Sequence, residues 1–238
     1  MAAVAIISGA ARAGDPLAAG LADAGFDLAV LGPSADACAA AVECARRSGR
    51  RALAVEVRAG EADSVQGAVD HVDVHLGPPS LLLHVVGAPP SGPPGGAVAG
   101  PVADWDGQVG GPLRETFLIS RAVLDPMIRE GCGRIVTVVD MPDAADGREN
   151  ATVRAALEGF TRTLALEADA FGVTAHLVVV GRGVRAAGEI LPPAPGPHAP
   201  GGRAPAAELA ATVAFLAGDG AGIASGEVVH VAAAGGMP

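Results

Sequence analysis

The chain has 238 residues, half of them hydrophobic, and a formal net charge of −10. This length suffices for one large α/β domain, and the apolar content, with a mean hydropathy of +0.40, excludes general disorder. The negative charge argues against nucleic acid and anionic membranes as partners, because both require basic patches on the protein.

Strand-like and helix-like patterns alternate along the whole chain. Strands are predicted at 2–8, 27–31, 52–57, 81–86, 134–139, 174–180 and 227–231, and helices at 16–24, 35–48, 61–76, 102–130, 151–171 and 205–216. Short apolar strands separated by helices pair in parallel, with both faces of the sheet covered. The sequence therefore predicts a single domain over 1–238: a three-layer, doubly wound, seven-stranded Rossmann-like α/β fold.

Two segments rich in proline and glycine, 87–101 and 181–205, interrupt this alternation. They hold 11 of the 19 prolines, which is typical of loops. Both follow the carboxyl ends of predicted strands, where open α/β sheets bind ligands. Each is therefore either a plain surface loop or a lid over a site.

The cysteine and apolar patterns bear on location. The three cysteines, Cys38, Cys44 and Cys132, are odd in number and have no metal-ligand spacing. No apolar run reaches the length of about 18 residues that spans a bilayer. We therefore expect a cytoplasmic protein with reduced thiols, no metal and no membrane segment.

Five segments, in order along the chain, resemble the short-chain dehydrogenase/reductase family, most closely its β-ketoacyl carrier-protein reductase branch. They are the turn SGAARAGD at 8–15, the helix at 105–118, the strand GRIV at 133–136, the helix AALEGF at 155–160 and the strand IASGEVVHV at 223–231. The resemblance implies the family fold, and it points to a nicotinamide-dependent oxidoreductase ancestry.

The catalytic positions of that family carry other residues here. The resemblance places Pro112, Asp140, Asn150 and Arg154 at the family's Asn, Ser, Tyr and Lys positions, and the chain has no tyrosine or lysine at all. Asparagine cannot donate a proton near neutral pH, and arginine is not equivalent to lysine. Pro112 is predicted to interrupt a helix. We expect Asp140 and Arg154 to form an ion pair.

The cofactor turn differs in the same way. Ser8, Gly9 and Arg12 fit the family motif, but Ala13 and Asp15 stand where its second and third glycines would be. Asp15 is expected to cap the following helix and to repel a phosphate at that helix terminus. Gly32 and Pro33 replace the residues that would contact the adenine ribose. The prediction is that no cofactor binds.

Three functions remain open. The leading one is a non-catalytic family member, assembled with itself or with an active short-chain dehydrogenase. The second is a cyclase, dehydratase or isomerase that reuses the pocket without nicotinamide, with Asp140 or His84 as base and Arg154 beside it. The third is an atypical NAD(P)H-dependent ketoreductase whose proton comes from water or substrate. The pair His71 and His75 has metal-binding spacing but no third ligand, so a solvated surface is expected.

Overall fold

A computed structural model describes residues 2–9, 14–87, 105–140, 148–181, 206–218 and 225–232. Seven parallel strands form one sheet in the order β3-β2-β1-β4-β5-β6-β7. They are β1 Val4–Ser8, β2 Asp27–Gly32, β3 Ala52–Glu56, β4 Pro79–Gly87, β5 Gly133–Asp140, β6 Val173–Gly181 and β7 Val228–Ala232. The predicted seven-stranded α/β fold is confirmed.

Among the described residues, six α-helices cover the two faces of the sheet. They are α1 Gly14–Asp23, α2 Ala35–Arg47, α3 Ala62–His75, α4 Gly111–Glu130, α5 Arg148–Ala168 and α6 Ala206–Ala217. Helices α1, α2 and α6 share one apolar core with the sheet, and α3, α4 and α5 pack on the opposite face. The strand order reverses between β1 and β4, which places the ligand crevice of such a fold at their carboxyl ends.

The two proline-rich segments fall outside the described residues except at their first positions, Gly87 and Gly181. Whether either is a lid therefore stays a prediction. In the part of the chain that the structure describes, no helix is both long enough and apolar enough to cross a membrane.

The helix predicted at 102–130 is built differently from expectation at Pro112. A π-helical turn, Asp106–Gly110, precedes α4, and the N–H of Gly111 donates to the carbonyl of Asp106. Pro112 then lies in the first turn of α4, where the missing N–H of proline costs little. The interruption predicted at Pro112 thus takes the form of a change of helix type just before this residue, and the helical backbone continues through it.

An ion pair stabilises the sheet at the amino ends of β2 and β3, away from the crevice. Asp27 at the start of β2 is 4 % exposed, and its carboxylate accepts from Nε of Arg51 at 2.7 Å and from the Arg51 backbone N–H at 3.0 Å. Arg51 also donates to the carbonyl of Leu76 at 2.9 Å. This network joins β2, the start of β3 and the end of α3, so its role is structural and lies far from the site.

Candidate functional site

Three neighbouring strands end in glycine at the switch point. β2 ends at Gly32, β4 ends at Gly87, and Gly9 directly follows β1. Gly9 has a φ of +76°, and a Cβ atom there would lie 2.1 Å from the carbonyl oxygen of Val85. A Cβ atom on Gly32 would lie 2.6 Å from Sγ of Cys38, and one on Gly87 would meet nothing within 4 Å among the described residues. Packing therefore requires glycine at Gly9 and Gly32, and at all three positions on the floor of the crevice no side chain separates a ligand from the backbone.

Helix α1 begins at Gly14, two residues before the predicted start, so Asp15 lies within its first turn. Arg12 and Ala13 lie outside the described residues, as does the side chain of Asp15. The proposed cap by Asp15 thus stays a prediction. Helix α1 has ten residues, and its N-terminus is where folds of this kind bind an anion.

The family's catalytic positions lie on three elements beside the crevice. Asp140 is the last residue of β5, half-buried, and pairs in register with Gly87 of β4. Arg154 is half-buried on α5, and Pro112 is half-buried in the first turn of α4. Asp140 and Arg154 each have an interaction partner, and their pairing with one another stays a prediction. The side chain of Asn150 lies outside the described residues.

His84 lies inside the protein. It is 2 % exposed, in the middle of β4, and paired in register with Ser8 of β1 and Thr137 of β5. Burial lowers the pKa of His84 to about 4, so its imidazole is neutral near neutral pH. A general base must reach the substrate, and this histidine is covered by the helical layer. The geometry therefore supports a structural role for His84.

The other histidines do not extend the site. His71 and His75 are exposed on α3, far from the crevice, with ring centroids 4.0 Å apart. Burial, with the nearby Arg134 as a second cause, lowers the pKa of His176, which lies on the opposite face of the sheet from His84. Within the described ranges, no group of three or more His, Cys, Asp or Glu side chains could hold a metal ion.

Comparison with known proteins decides the family. The family model described as Enoyl-(Acyl carrier protein) reductase matches residues 9–237. The chain belongs to the short-chain dehydrogenase/reductase family. This short-chain dehydrogenase/reductase is 33% identical over 181 residues to the family member NovK of Streptomyces niveus, an alignment that covers 74% of this chain and 73% of NovK.

Two further relatives align over most of their length. The 3-oxoacyl-[acyl-carrier-protein] reductase FabG of Pseudomonas aeruginosa is 29% identical over 237 residues, covering 96% of this chain and 95% of that protein. The (2S)-[(R)-hydroxy(phenyl)methyl]succinyl-CoA dehydrogenase subunit BbsC of Thauera aromatica is 30% identical over 225 residues, covering 92% and 88%. The resemblance to the carrier-protein reductase branch is thus confirmed.

Solved structures support the same fold. The crystal structure of acetoin dehydrogenase YohF from Salmonella typhimurium superposes with a TM-score of 0.77, covers 97% of this chain and 94% of its own, and is 22% identical in sequence. At that identity the likeness concerns the fold only, and it agrees with the seven-stranded parallel sheet described above.

Two predictions made from the sequence are wrong. The chain was predicted to be a non-catalytic family member, but its relatives are named reductases and dehydrogenases, and the matching family model is that of a reductase. The prediction that no cofactor binds is wrong for the same reason, because reductases of this family use a nicotinamide cofactor. Both errors treated substitutions at motif positions as the loss of the whole activity.

Proposed function

We propose that this short-chain dehydrogenase/reductase is an atypical NAD(P)H-dependent oxidoreductase that interconverts a carbonyl group and an alcohol. The observation that carries the proposal is the glycine floor of Gly32, Gly9 and Gly87 at the switch point. The three glycines lie within residues 9–237, which match the reductase family model. A floor without side chains lets a flat, extended dinucleotide lie against the backbone.

The residues of this edge fit the cofactor. Gly9 would allow the pyrophosphate to approach the backbone, and the N-terminus of α1 would face its negative charge. Ala13 and Asp15 are expected to weaken this binding without blocking the crevice floor. When bound, the reduced cofactor supplies the hydride, and the oxidised cofactor accepts it in the reverse direction.

The proton needs a different source from that of other family members. The chain has no tyrosine, so we assign the proton to water or to the substrate itself. Arg154 keeps a permanent positive charge at the family's lysine position. This charge stabilises the negative charge that develops on the carbonyl oxygen of the substrate. Asp140 has an interaction partner, so it is expected to counteract that effect less than an unpaired carboxylate would. The reaction is therefore expected to be slow relative to a family member that has a tyrosine acid.

The substrate class follows from the relatives. FabG is named for 3-oxoacyl groups on a carrier protein, and BbsC is named for a succinyl-CoA derivative. Both names describe acyl thioesters with an oxygen function on the chain. We therefore propose a 3-oxoacyl or 3-hydroxyacyl thioester as the substrate, and acetoacetyl thioesters are the first compounds to test.

Calorimetric titration with NADPH and NADH tests the cofactor. We expect at least one of them to bind more tightly than about 1 mM, which corresponds to about −4 kcal/mol. Gly87→Val fills the crevice floor where a Cβ atom meets nothing, so it should weaken binding at least about tenfold without changing the fold. Gly67→Val on α3 also adds atoms at an open position, and serves as the control.

Turnover is tested in the same preparation by following nucleotide oxidation with acetoacetyl thioesters. The proposal fails if neither nucleotide binds and no thioester is reduced. It also fails at the site level if Gly87→Val and Gly67→Val bind the nucleotide equally well. The single tryptophan, Trp105, is 42 % exposed just before the π-helical turn, and its fluorescence gives an independent measure of binding.

We also propose that the protein is an oligomer through α4 and α5, since members of this family commonly form homo-oligomers. Phe117 on α4 is 48 % exposed, and its ring meets that of Phe160 on α5 edge-on at 6.4 Å. Leu166 on α5 is 82 % exposed. The nearby Gly159 has open space around its Cβ position, which permits close approach of a second helix.

Gly159→Glu should split such an oligomer, because it places a charge in the helix contact. We expect light scattering to give an oligomer for the parent and a monomer for the variant. Gly67→Glu on α3 is the matched control and should leave the oligomer intact. BbsC is named as a subunit, so a hetero-oligomer is tested as well: the parent is co-expressed with a short-chain dehydrogenase encoded by a neighbouring gene. A parent that is monomeric both alone and in that mixture would refute the assembly.

A cytoplasmic location is a further proposal. Cys38, Cys44 and Cys132 are all free thiols, with Cys132 exposed, as expected in a reducing compartment. Cell fractionation that finds the protein outside the cytoplasm would contradict it.

A further inference from the structure

Most of the buried polar side chains form one layer inside the protein, which we call the polar layer. Of the eight buried polar or charged residues in the described part of the chain, six belong to it. Three lie side by side on the sheet, because His84 pairs in register with Ser8 on one side and Thr137 on the other. The others are Thr116 and Ser120 on α4 and Thr161 on α5.

The polar layer separates two apolar clusters on the same face of the sheet. On β4, His84 lies between Leu82, which belongs to the larger cluster, and Val86, which belongs to the smaller one nearer the crevice. On α5, Thr161 likewise lies between Leu157 of the smaller cluster and Leu164 of the larger. Side chains two apart on a strand and about four apart on a helix share a face, so these polar groups point into the same interface.

Helix α4 supplies the side of the layer that lies opposite the sheet. Leu113 packs against the cluster near the crevice and Val123 belongs to the larger one, and Thr116 and Ser120 lie between these two residues at helical spacing. The hydroxyl of Thr116 donates to the carbonyl of Pro112 at 2.8 Å, so it is satisfied within its own helix. Ser120 is 1 % exposed and lies one turn after Thr116 and about one turn before the buried Val123, so it shares their helix face.

Two atoms of the polar layer are unpartnered among the described residues: Nδ1 of His84 and Oγ of Ser120. Both atoms are fully buried. They belong to side chains that face the same interface, yet they do not hydrogen-bond to each other. The apolar clusters on either side offer neither donors nor acceptors. A buried polar atom in a native protein is nearly always paired with a protein group or an ordered water.

We propose that a water molecule is bound inside the protein in the polar layer, where it bridges Nδ1 of His84 on β4 and Oγ of Ser120 on α4. A water both donates and accepts, so it can satisfy both atoms whichever tautomer the imidazole adopts. The layer ends at Ser8, the last residue of β1, next to Gly9 at the crevice edge. The site does not depend on the proposed reaction.

The bridge fixes α4 on the sheet. Helix α4 carries Pro112 at the catalytic edge, and Pro112 is tied to Thr116 one turn along the helix. Ser120 is one turn further along the helix. His84 and Ser120 are therefore positioning residues for the start of α4, acting through the water. Losing either one should leave the other, with its water, incompletely bonded.

A crystal structure of the full chain at a resolution of about 1.5 Å tests the site directly. We expect a density peak within about 3 Å of both atoms, at normal hydrogen-bond distance. In solution, the unfolding equilibria of Ser120→Ala, His84→Leu and the double variant are compared. Once one partner of a shared water is lost, the second loss should cost less. The double variant should therefore be at least about fivefold less unfolded than the product of the single effects predicts.

His176→Leu combined with Ser120→Ala is the matched control. His176 also has an unpartnered buried Nδ1, but it lies on the opposite face of the sheet, so this pair should be additive. The proposal is overturned if the density shows Nδ1 of His84 bonded to a protein group, or no peak between the two atoms. Equal additivity in the test and control pairs would overturn it too. If a variant does not fold, the density decides alone.

Discussion

Gly9→Ala should destabilise the protein by roughly 2–4 kcal/mol or more, because two separate costs meet at this position. The backbone φ of +76° is unfavourable for any residue with a Cβ atom. The new Cβ atom would also lie 2.1 Å from the carbonyl oxygen of Val85, which belongs to a central strand and cannot move away cheaply. The turn between β1 and α1 must therefore shift.

Gly49→Ala is the control that separates the two costs. Gly49 has a φ of +74°, nearly the same as Gly9, but a Cβ atom there meets nothing within 4 Å. Its replacement should cost only about 1 kcal/mol, the conformational part. Urea denaturation of the parent and both variants measures the difference. Equal losses for the two variants would show that the contact with Val85 relaxes without cost.

The same substitution bears on the proposed function. If the turn shifts, the backbone at Gly9 no longer offers its present approach to a pyrophosphate, so nucleotide affinity should fall together with stability. In Gly87→Val the affinity should fall alone, since that position has open space around it. The two variants thus separate the effect of Gly87 on ligand binding from the effect of Gly9 on the stability of the turn.

The fold was predictable from the sequence because the strands are short apolar runs, and the central ones are buried on both faces. The runs at 2–8 and 81–86 became β1 and β4, with nearly every residue buried. The sequence predicted an interruption of the helix at Pro112 but not its form, because the pattern does not reveal a π-helical turn. Helix type depends on the hydrogen bonds of the preceding turn.

The site was only partly predictable. Sequence reasoning placed Asp140 and Arg154 correctly on the end of β5 and on α5, because the motif order fixes both. It missed the polar layer, whose members come from five elements far apart in the chain. Ser8, His84 and Thr137 become neighbours only through strand register, which composition and spacing do not give. A hint was present in the polar residues at 84 and 137, each interrupting an apolar strand.

The functional prediction failed for a different reason. The absence of tyrosine and lysine is a fact of the sequence, but it describes one proton donor and its activator. Hydride transfer depends mainly on positioning two molecules, and the crevice proposed for this role is lined by backbone at Gly9 and Gly87. Substituted motif positions therefore predict a changed proton source and rate, and do not by themselves predict the loss of activity.

The stability of the protein should fall in mild acid because of His84. Burial lowers the pKa of His84 from 6.5 to about 4 in the folded state, whereas in the unfolded chain it returns to its ordinary value. Between these two pKa values, His84 is therefore protonated in the unfolded state and neutral in the folded state. The stability that neutral His84 confers is fully present above about pH 6.5. It is lost progressively as the pH falls toward 4, and it stops changing below that. Its full size is about 3 kcal/mol.

His84→Asn tests this prediction, because asparagine is polar, similar in shape and does not titrate. The free energy of unfolding is measured at about pH 7 and about pH 4.5 for parent and variant. The parent should lose about 2 kcal/mol more than the variant between the two conditions. The surface variant His71→Asn should follow the parent. His176, whose pKa is also lowered by burial, contributes in the same direction to all three proteins and cancels in the comparison. Parallel losses in the parent and His84→Asn would contradict the prediction, because they would mean that the pKa of His84 is not lowered in the folded protein.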